Sequence, residues 1–316
     1  MDFELILLKV FALWRVVLPA MFLGCLFGNW IQETRFWEYL SRRLAPVMQF
    51  AGLPANCSLY LAMCFFNLHA ANAYLGSEFQ KSRISPSPLL GAYLLGSFPN
   101  SLYFGLFYIA PILIGAVGWR LGSAYTALHM LIGLLTGLTG FVLGRSLGSS
   151  GAGTEHPGAQ ADVKTNVKRG FRAVVSQAWQ QFLRMAKVFV PVTLFFIVLT
   201  NLPAIQHLIE TSDELFAAIG LSGPVVLVLA AGLPSTLSGL AAAGSLFQAG
   251  QLSGPEVISA LLMGYFLHII YEFFANHLPL SMTFFGPKNG IRLSSVHLIT
   301  RLVFITLTVA WIFLEN

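Results

Sequence analysis

Apolar stretches long enough to cross a bilayer recur along the chain, at about 10–30, 88–118, 122–144, 187–203, 255–275 and 293–314. A bilayer core about 30 Å thick needs roughly 20 predominantly apolar helical residues to span it. Each run therefore predicts a membrane helix, and little chain is left outside the membrane. The single clearly polar stretch runs from Arg145 to Arg172 and is rich in Gly, Ser and charge, which predicts a flexible linker. The expected organisation is a membrane unit at 1–144, a linker at 145–172 and a second membrane unit at 173–316.

The two units carry one pattern. With Gly52 laid on Gly220, the halves run on without a gap, and Gly76 meets Gly244, Phe79-Gln80 meets Phe247-Gln248, and Ser85 meets Ser253. Further along, Gly96, Phe98, Tyr103, Pro111, Gly118, Gly122 and His129 meet Gly264, Phe266, Tyr271, Pro279, Gly286, Gly290 and His297. Apolar sequences match by chance at Leu and Ala; a series of Gly, Pro, Tyr and His does not arise so easily. The expectation is an internal repeat.

Charge sets the expected orientation. No Lys or Arg occurs from Asn201 to Glu256, where Glu210, Asp213, Glu214 and Glu256 are acidic, whereas the matching part of the first half carries Arg35, Arg42, Arg43, Lys81 and Arg83. Cytoplasmic loops collect Lys and Arg, so equivalent loops are expected on opposite sides, with the linker (Lys164, Lys168, Arg169, Arg172) in the cytoplasm. This predicts an all-α polytopic protein of the cell membrane with two inverted-topology repeats. An odd number of crossings then requires about three spanning helices per repeat, plus a segment that dips in and returns. Residues 54–77 and 222–245 are the dipping candidates, each apolar but broken at FFNLHAAN and LPSTLSG; two ordinary kinked spans are the alternative.

Composition agrees. Of 316 residues, 56% are hydrophobic and 10% charged, against about 25% charged in soluble domains. The net charge of +5 lies beside apolar segments and in the linker, so it does not call for nucleic acid. Cys25, Cys57 and Cys64 lie within apolar segments and read as buried small hydrophobes. Asp2 and Glu4 precede the first apolar run without an early basic region, which predicts a retained span rather than a cleaved signal.

Polar residues at membrane depth are costly and face the protein interior, so they are the candidate substrate-binding residues. The first half offers Asn67, His69, Asn72 and Asn100; the second offers Ser235, Thr236, Ser238, His268, Tyr271, Glu272 and Asn276, with His277 beside them. His268, Glu272 and Asn276 follow at four-residue intervals and share a helix face. Glu272 can bind a hydroxyl-rich or amine ligand, carry a proton or meet a cation; the bland alternative is a protonated or paired buried acid. His129 and His297 recur in both halves and read as structural hydrogen-bonders, while Arg301 either snorkels or pairs with Glu272. No phosphate loop, His-Glu-x-x-His or Gly-x-Ser-x-Gly is present, so the expectation is not an enzyme and no cofactor is called for.

The string from Leu40 to Leu102 resembles the nucleoside-recognition, or gate, domain, in its Leu-Ala-Pro at 44–46, Gly52-Leu53-Pro54, Ala70-Ala71-Asn72 and Gly96-x-Phe98-Pro99. Spore maturation proteins A and B and the membrane part of the ferrous-iron transporter B family share that domain. The resemblance implies a transporter-like fold with re-entrant elements. The thiol gate of the iron transporters has no full counterpart, because Val225 and Gly232 stand opposite Cys57 and Cys64. The leading expectation is a permease in the bilayer for a small polar solute, nucleoside-like, working by alternating access; a coupling proton or cation and self-association stay open. The alternatives are a divalent-cation permease using His69, His268, Glu272 and His277, and a scaffold or sensor that moves nothing.

Overall fold

The computed structural model describes residues 3–33, 36–148, 171–200 and 221–315, and the described residues are helical without a strand. The first half holds α1 (Phe3–Glu33), α2 (Phe36–Phe50), α3 (Cys57–Cys64), α4 (Leu68–Gln80), α5 (Pro86–Leu95), α6 (Ser97–Phe104), α7 (Ala110–Val117) and α8 (Trp119–Gly148). The second holds α9 (Phe171–Thr200), α10 (Gly223–Gly232), α11 (Thr236–Gln248), α12 (Gly254–Glu272), α13 (Leu278–Phe285) and α14 (Pro287–Glu315). Gly105–Ile109 joins α6 to α7 as a π-helical turn, and Phe273–His277 joins α12 to α13 in the same way.

Among the described residues, four helices are long and apolar enough to cross a membrane: Pro86–Val117, Trp119–Ser146, Gly254–Phe285 and Pro287–Ile312. They match the expected spans at 88–118, 122–144, 255–275 and 293–314, the third extending further because the helix continues through its π turn. The other two expected runs lie in α1 and α9. The helix α1 (Phe3–Glu33) covers 10–30, with Leu13–Phe27 as its continuous apolar part among the described side chains. The run at 187–203 lies in α9 up to Thr200, and its last residues fall outside the described ones. The two helices carry polar groups that meet each other: Trp14 donates its indole N–H to Thr193 Oγ1 at 2.8 Å, and Asn29 Nδ2 donates to Gln181 Oε1 at 2.5 Å. The linker begins later than expected, since α8 runs through Arg145 to Gly148; residues 149–170, with Lys164, Lys168 and Arg169, lie outside the described residues, as do Arg35, Glu210, Asp213 and Glu214.

Local chemistry explains the boundaries. Ser85 and Ser253 stand at the starts of α5 and α12 in extended conformation, each close before a proline in the first turn, where a missing N–H costs nothing. Pro111 and Pro279 sit early in α7 and α13; neither can donate to the carbonyl four residues back, and the ladder widens there into the two π turns. Gly118 (φ 86°) and Gly286 (φ 77°) then reverse the chain into α8 and α14 in a conformation that disfavours any side chain.

These features recur at the interval set by Gly52 and Gly220. Leu68–Gln80 and Thr236–Gln248 share bounds under it, as do the π turns and α7 with α13. Contacts between the halves are reciprocal too. Gln80 Nε2 donates to the carbonyl of Phe284 at 3.1 Å, and Gln248 Nε2 donates to the carbonyl of Ala116, the residue matching Phe284, at 2.7 Å. One apolar core runs through residues of both halves, including Val17, Ile109, Phe189, Leu246 and Leu262. A second gathers Met48, Tyr60, Leu75, Leu94 and Phe285. Small residues allow the closest crossing: a Cβ on Gly140 would stand 2.5 Å from the Leu95 nitrogen, so α5 and α8 meet backbone to backbone, as membrane helices without a hydrophobic drive between them do.

Candidate functional site

Each expected dipping segment is a pair of short helices with a break between them. After α3 the chain leaves the helix, and Asn67 takes an extended conformation (φ −152°, ψ 94°) whose side-chain oxygen accepts the Ala70 N–H at 3.0 Å. Asn67 is thus an N-cap, which satisfies one of the orphan donors of α4. The matching Ser235 does the same for α11 (φ −158°, ψ 118°), accepting the Ser238 N–H at 3.3 Å. The two helices of each pair pack on one another.

Beside the first break lies a cavity of about 530 Å³. Asn67, His69, Asn72 and Asn100 line it from the first half, and Glu272, Asn276 and His277 from the second. Six of the expected binding residues therefore come together: Asn67, His69, Asn72, Asn100, Glu272 and Asn276. Helix α14 adds two that the sequence reading assigned elsewhere, His297 and Arg301, while Tyr60, Tyr93 and Ser97 were not anticipated. Buried tyrosines in apolar runs read as core, and Ser97 carries no signal in the sequence. A lone arginine two turns into an apolar span was the clue available for Arg301.

The walls are tied by hydrogen bonds. The Tyr60 hydroxyl lies 3.4 Å from both Asn72 Oδ1 and the Tyr93 carbonyl, with which it can share its proton. The Tyr93 hydroxyl meets Ser281 Oγ at 3.1 Å, and His297 Nε2 meets Ser97 Oγ at 2.9 Å. Asn276 Nδ2 donates to Glu272 Oε2 at 2.9 Å, as their spacing along one helix face allows even through the π turn. Arg301 Nη2 donates to Ser101 Oγ at 2.9 Å, and its guanidinium lies 5.6 Å from the centre of the Tyr265 ring. The expected alternative of an Arg301–Glu272 pair is not formed: the ion pairs among the described residues are those of Glu78 with Lys81 and Arg83.

The remaining expected residues lie elsewhere. Thr236 and His268 line a second, nearly filled space of about 10 Å³ beside the second break. His268 turns its Nδ1 to the Leu233 carbonyl at 3.0 Å, closing the end of α10. Ser235 and Ser238 serve the cap of α11, and Tyr271 is an exposed neighbour of Glu272 that lines neither space. The second space is the counterpart of the first: Val228, Thr236, Leu240, Leu261, Tyr265 and His268 match Tyr60, Leu68, Asn72, Tyr93, Ser97 and Asn100. One repeat position in each half thus holds a space of the same construction, but only one is roomy and polar. Among the described residues, no three of His, Cys, Asp and Glu approach as a metal-ligand set.

Two proteins of Methanocaldococcus jannaschii are similar along most of the chain. Uncharacterized protein MJ0871 is 23% identical over 297 residues, which cover 92% of this chain and 90% of the relative. Uncharacterized protein MJ0880 is 21% identical over 281 residues, covering 87% and 89%. No family model matches the chain. No solved structure matches it either.

Proposed function

We propose that this membrane protein is a permease for a small polar solute, bound in the cavity beside Asn67 and Asn72 and moved by alternating access between two inverted repeats. The observation that carries the reading is the cavity itself: about 530 Å³, lined by amides, imidazoles, a carboxylate and a guanidinium drawn from both halves of an otherwise apolar helical protein. Polar and ionisable groups gathered among membrane-crossing helices are expensive, and they mark solute or ion pathways. A broken helix at the wall is a common element of transporter sites, because unwound backbone there must meet protein or a watery space.

Reciprocal contacts support a two-fold relation between the halves. If residue i of one copy meets j of the other while j meets i, a two-fold axis relates them. Gln80 with Phe284 and Gln248 with Ala116 behave so, as do His297 with Ser97 and His129 with Tyr265, whose rings lie 5.1 Å apart. The opposite distribution of Lys and Arg in the two halves supports an axis in the membrane plane, hence inversion, with residues 54–77 and 222–245 as re-entrant hairpins. The resemblance to the gate domain makes a nucleoside-like solute one candidate, its hydroxyls and base edges set against the amides of Asn67, Asn72 and Asn100, and the class of solute is taken up below. A divalent cation is less well served by this cavity, where the ligand set it needs is lacking among the described residues.

The test needs no knowledge of the solute. Asn100→Cys is introduced with Cys25, Cys57 and Cys64 replaced by Ala, and the protein is exposed to a membrane-impermeant thiol reagent in sealed vesicles of each orientation. A permease gives labelling from both faces. Labelling from one face alone defeats alternating access and leaves a scaffold or sensor.

A further inference from the structure

The cavity holds one full cation and one carboxylate, and they do not neutralise one another. Arg301 reaches Ser101 with one nitrogen, yet its Nε is buried without an acceptor. It has no acidic partner among the described residues, where ion pairing is confined to Glu78. Glu272 is half-buried on the cavity wall and accepts one hydrogen bond, from the neutral and exposed Asn276, so the buried orphan of the two is the Arg301 Nε. A buried charge without a counter-charge is costly, and a guanidinium offers a planar fork of donors shaped for a carboxylate. The half that contributes these groups is not required by the fold to carry them: Gly133 and Phe104 stand at the positions matching Arg301 and Glu272.

Resting on the reading of this cavity as the solute site, we infer that its ligand is a small zwitterion, an amino carboxylate that sets its carboxylate on Arg301 and its ammonium on Glu272. A zwitterion answers both charges while adding no net charge to the low-dielectric interior; a neutral nucleoside answers neither, and a simple anion leaves Glu272 unmatched. The first turn of α4 contributes on the same side of the balance. Leu68 and His69, its first two residues, line the cavity, so the positive end of a 13-residue helix faces the space in which the anion sits. Ser101 and Asn276 act as positioning residues, fixing the guanidinium and the carboxylate in place. Asn72 and Asn100 are left to the polar remainder of the solute.

The experiment is thermal melting and equilibrium dialysis of the full-length, detergent-purified protein with the standard L-amino acids, each beside its decarboxylated amine and its 2-hydroxy acid. Common nucleosides serve as the contrasting class. The expected result is binding of at least one amino acid, with both truncated analogues weaker by on the order of 30-fold or more, the usual effect of removing one partner of a desolvated charge pair. Arg301→Gln and Glu272→Gln lose binding to a similar degree, while Arg301→Lys recovers part of it. If these variants fail to fold, the analogue series on the unaltered protein still decides. Nucleoside binding that survives Arg301→Gln overturns the inference, as does equal binding of the amine or the hydroxy acid. No amino-acid binding by a folded protein overturns it as well; two-sided labelling of Asn100→Cys then still upholds the permease, so the two proposals fail separately.

Discussion

The two spaces beside the helix breaks are built on one plan and end differently. Around the first, Tyr60, Asn72, Ser97 and Asn100 leave a polar cavity of about 530 Å³; around the second, Val228, Leu240, Tyr265 and His268 leave about 10 Å³. The caps that make the breaks are alike, Asn67 for one and Ser235 for the other, so the backbone is not what separates them. The side chains differ instead: Tyr265 stands where Ser97 does and the stacked pair Phe104–Tyr108, with ring centres 5.0 Å apart, where Glu272 and Asn276 do, while Val228 and Leu261 stand where Tyr60 and Tyr93 do. A repeated fold thus supplies two equivalent niches, and substitution at a few positions makes one a site and the other part of the core.

The comparison can be broken first by giving the open niche the residue of the filled one. Ser97→Tyr places a ring in the cavity and takes away the acceptor of His297. The ligand's stabilisation, on the order of 2.7 kcal/mol at a hundred times its dissociation constant, should vanish from the melting curve. The melting point without ligand should fall modestly, because His297 loses its bond to Ser97 while the ring itself enters the cavity. Retained stabilisation in this variant would remove the cavity from the mechanism.

A smaller effect is expected where the halves meet. A Cβ on Gly76 would lie 2.6 Å from the backbone oxygen of Phe284, whereas one on the matching Gly244 would lie 2.7 Å from the side chain of Ala116. Gly76→Ala should therefore cost about 2 kcal/mol, within the range of overpacking, and Gly244→Ala less, since three atoms of Phe284 crowd the first position and the Ala116 Cβ alone stands that close to the second. Equal losses in denaturation of the two variants would show that the interface adjusts alike on both sides.

The smallest effect sharpens the two-fold relation. Gln80→Ala and Gln248→Ala each remove one side-chain bond to the carbonyl of the opposite half, for about 1 kcal/mol apiece. If the two contacts are equivalent and independent, the double variant loses the sum. A cost confined to one of them would mean that the halves are docked through one side only.

The breaks at FFNLHAAN and LPSTLSG were legible beforehand because they depend on local chemistry; that Asn67 and Ser235 cap the helices after them, and that Gly118 and Gly286 reverse the chain, came from the structure. The polar residues Asn67, Asn72, Asn100, Glu272 and Asn276 stood out because an apolar span has few others. Reading Ser235, Thr236, Ser238, His268 and Tyr271 into the same site overlooked the consequence of the repeat: residues that match under it occupy equivalent places, not the same place. Only the packing assigned His268 to the Leu233 carbonyl and left its counterpart Asn100 facing the cavity.

The sequence by itself determined the helical class, the long apolar spans, the breaks near Asn67 and Ser235 and the matched pattern of the halves, since propensity, hydropathy and capping act over a few residues. Tertiary structure decided what meets across the chain. It brought Ser97 to His297 and Ser101 to Arg301, partners about two hundred residues apart, and kept Arg301 from Glu272. It also decided which of two equivalent niches stays open, because that depends on how side chains from several helices pack together, which no local stretch of sequence contains.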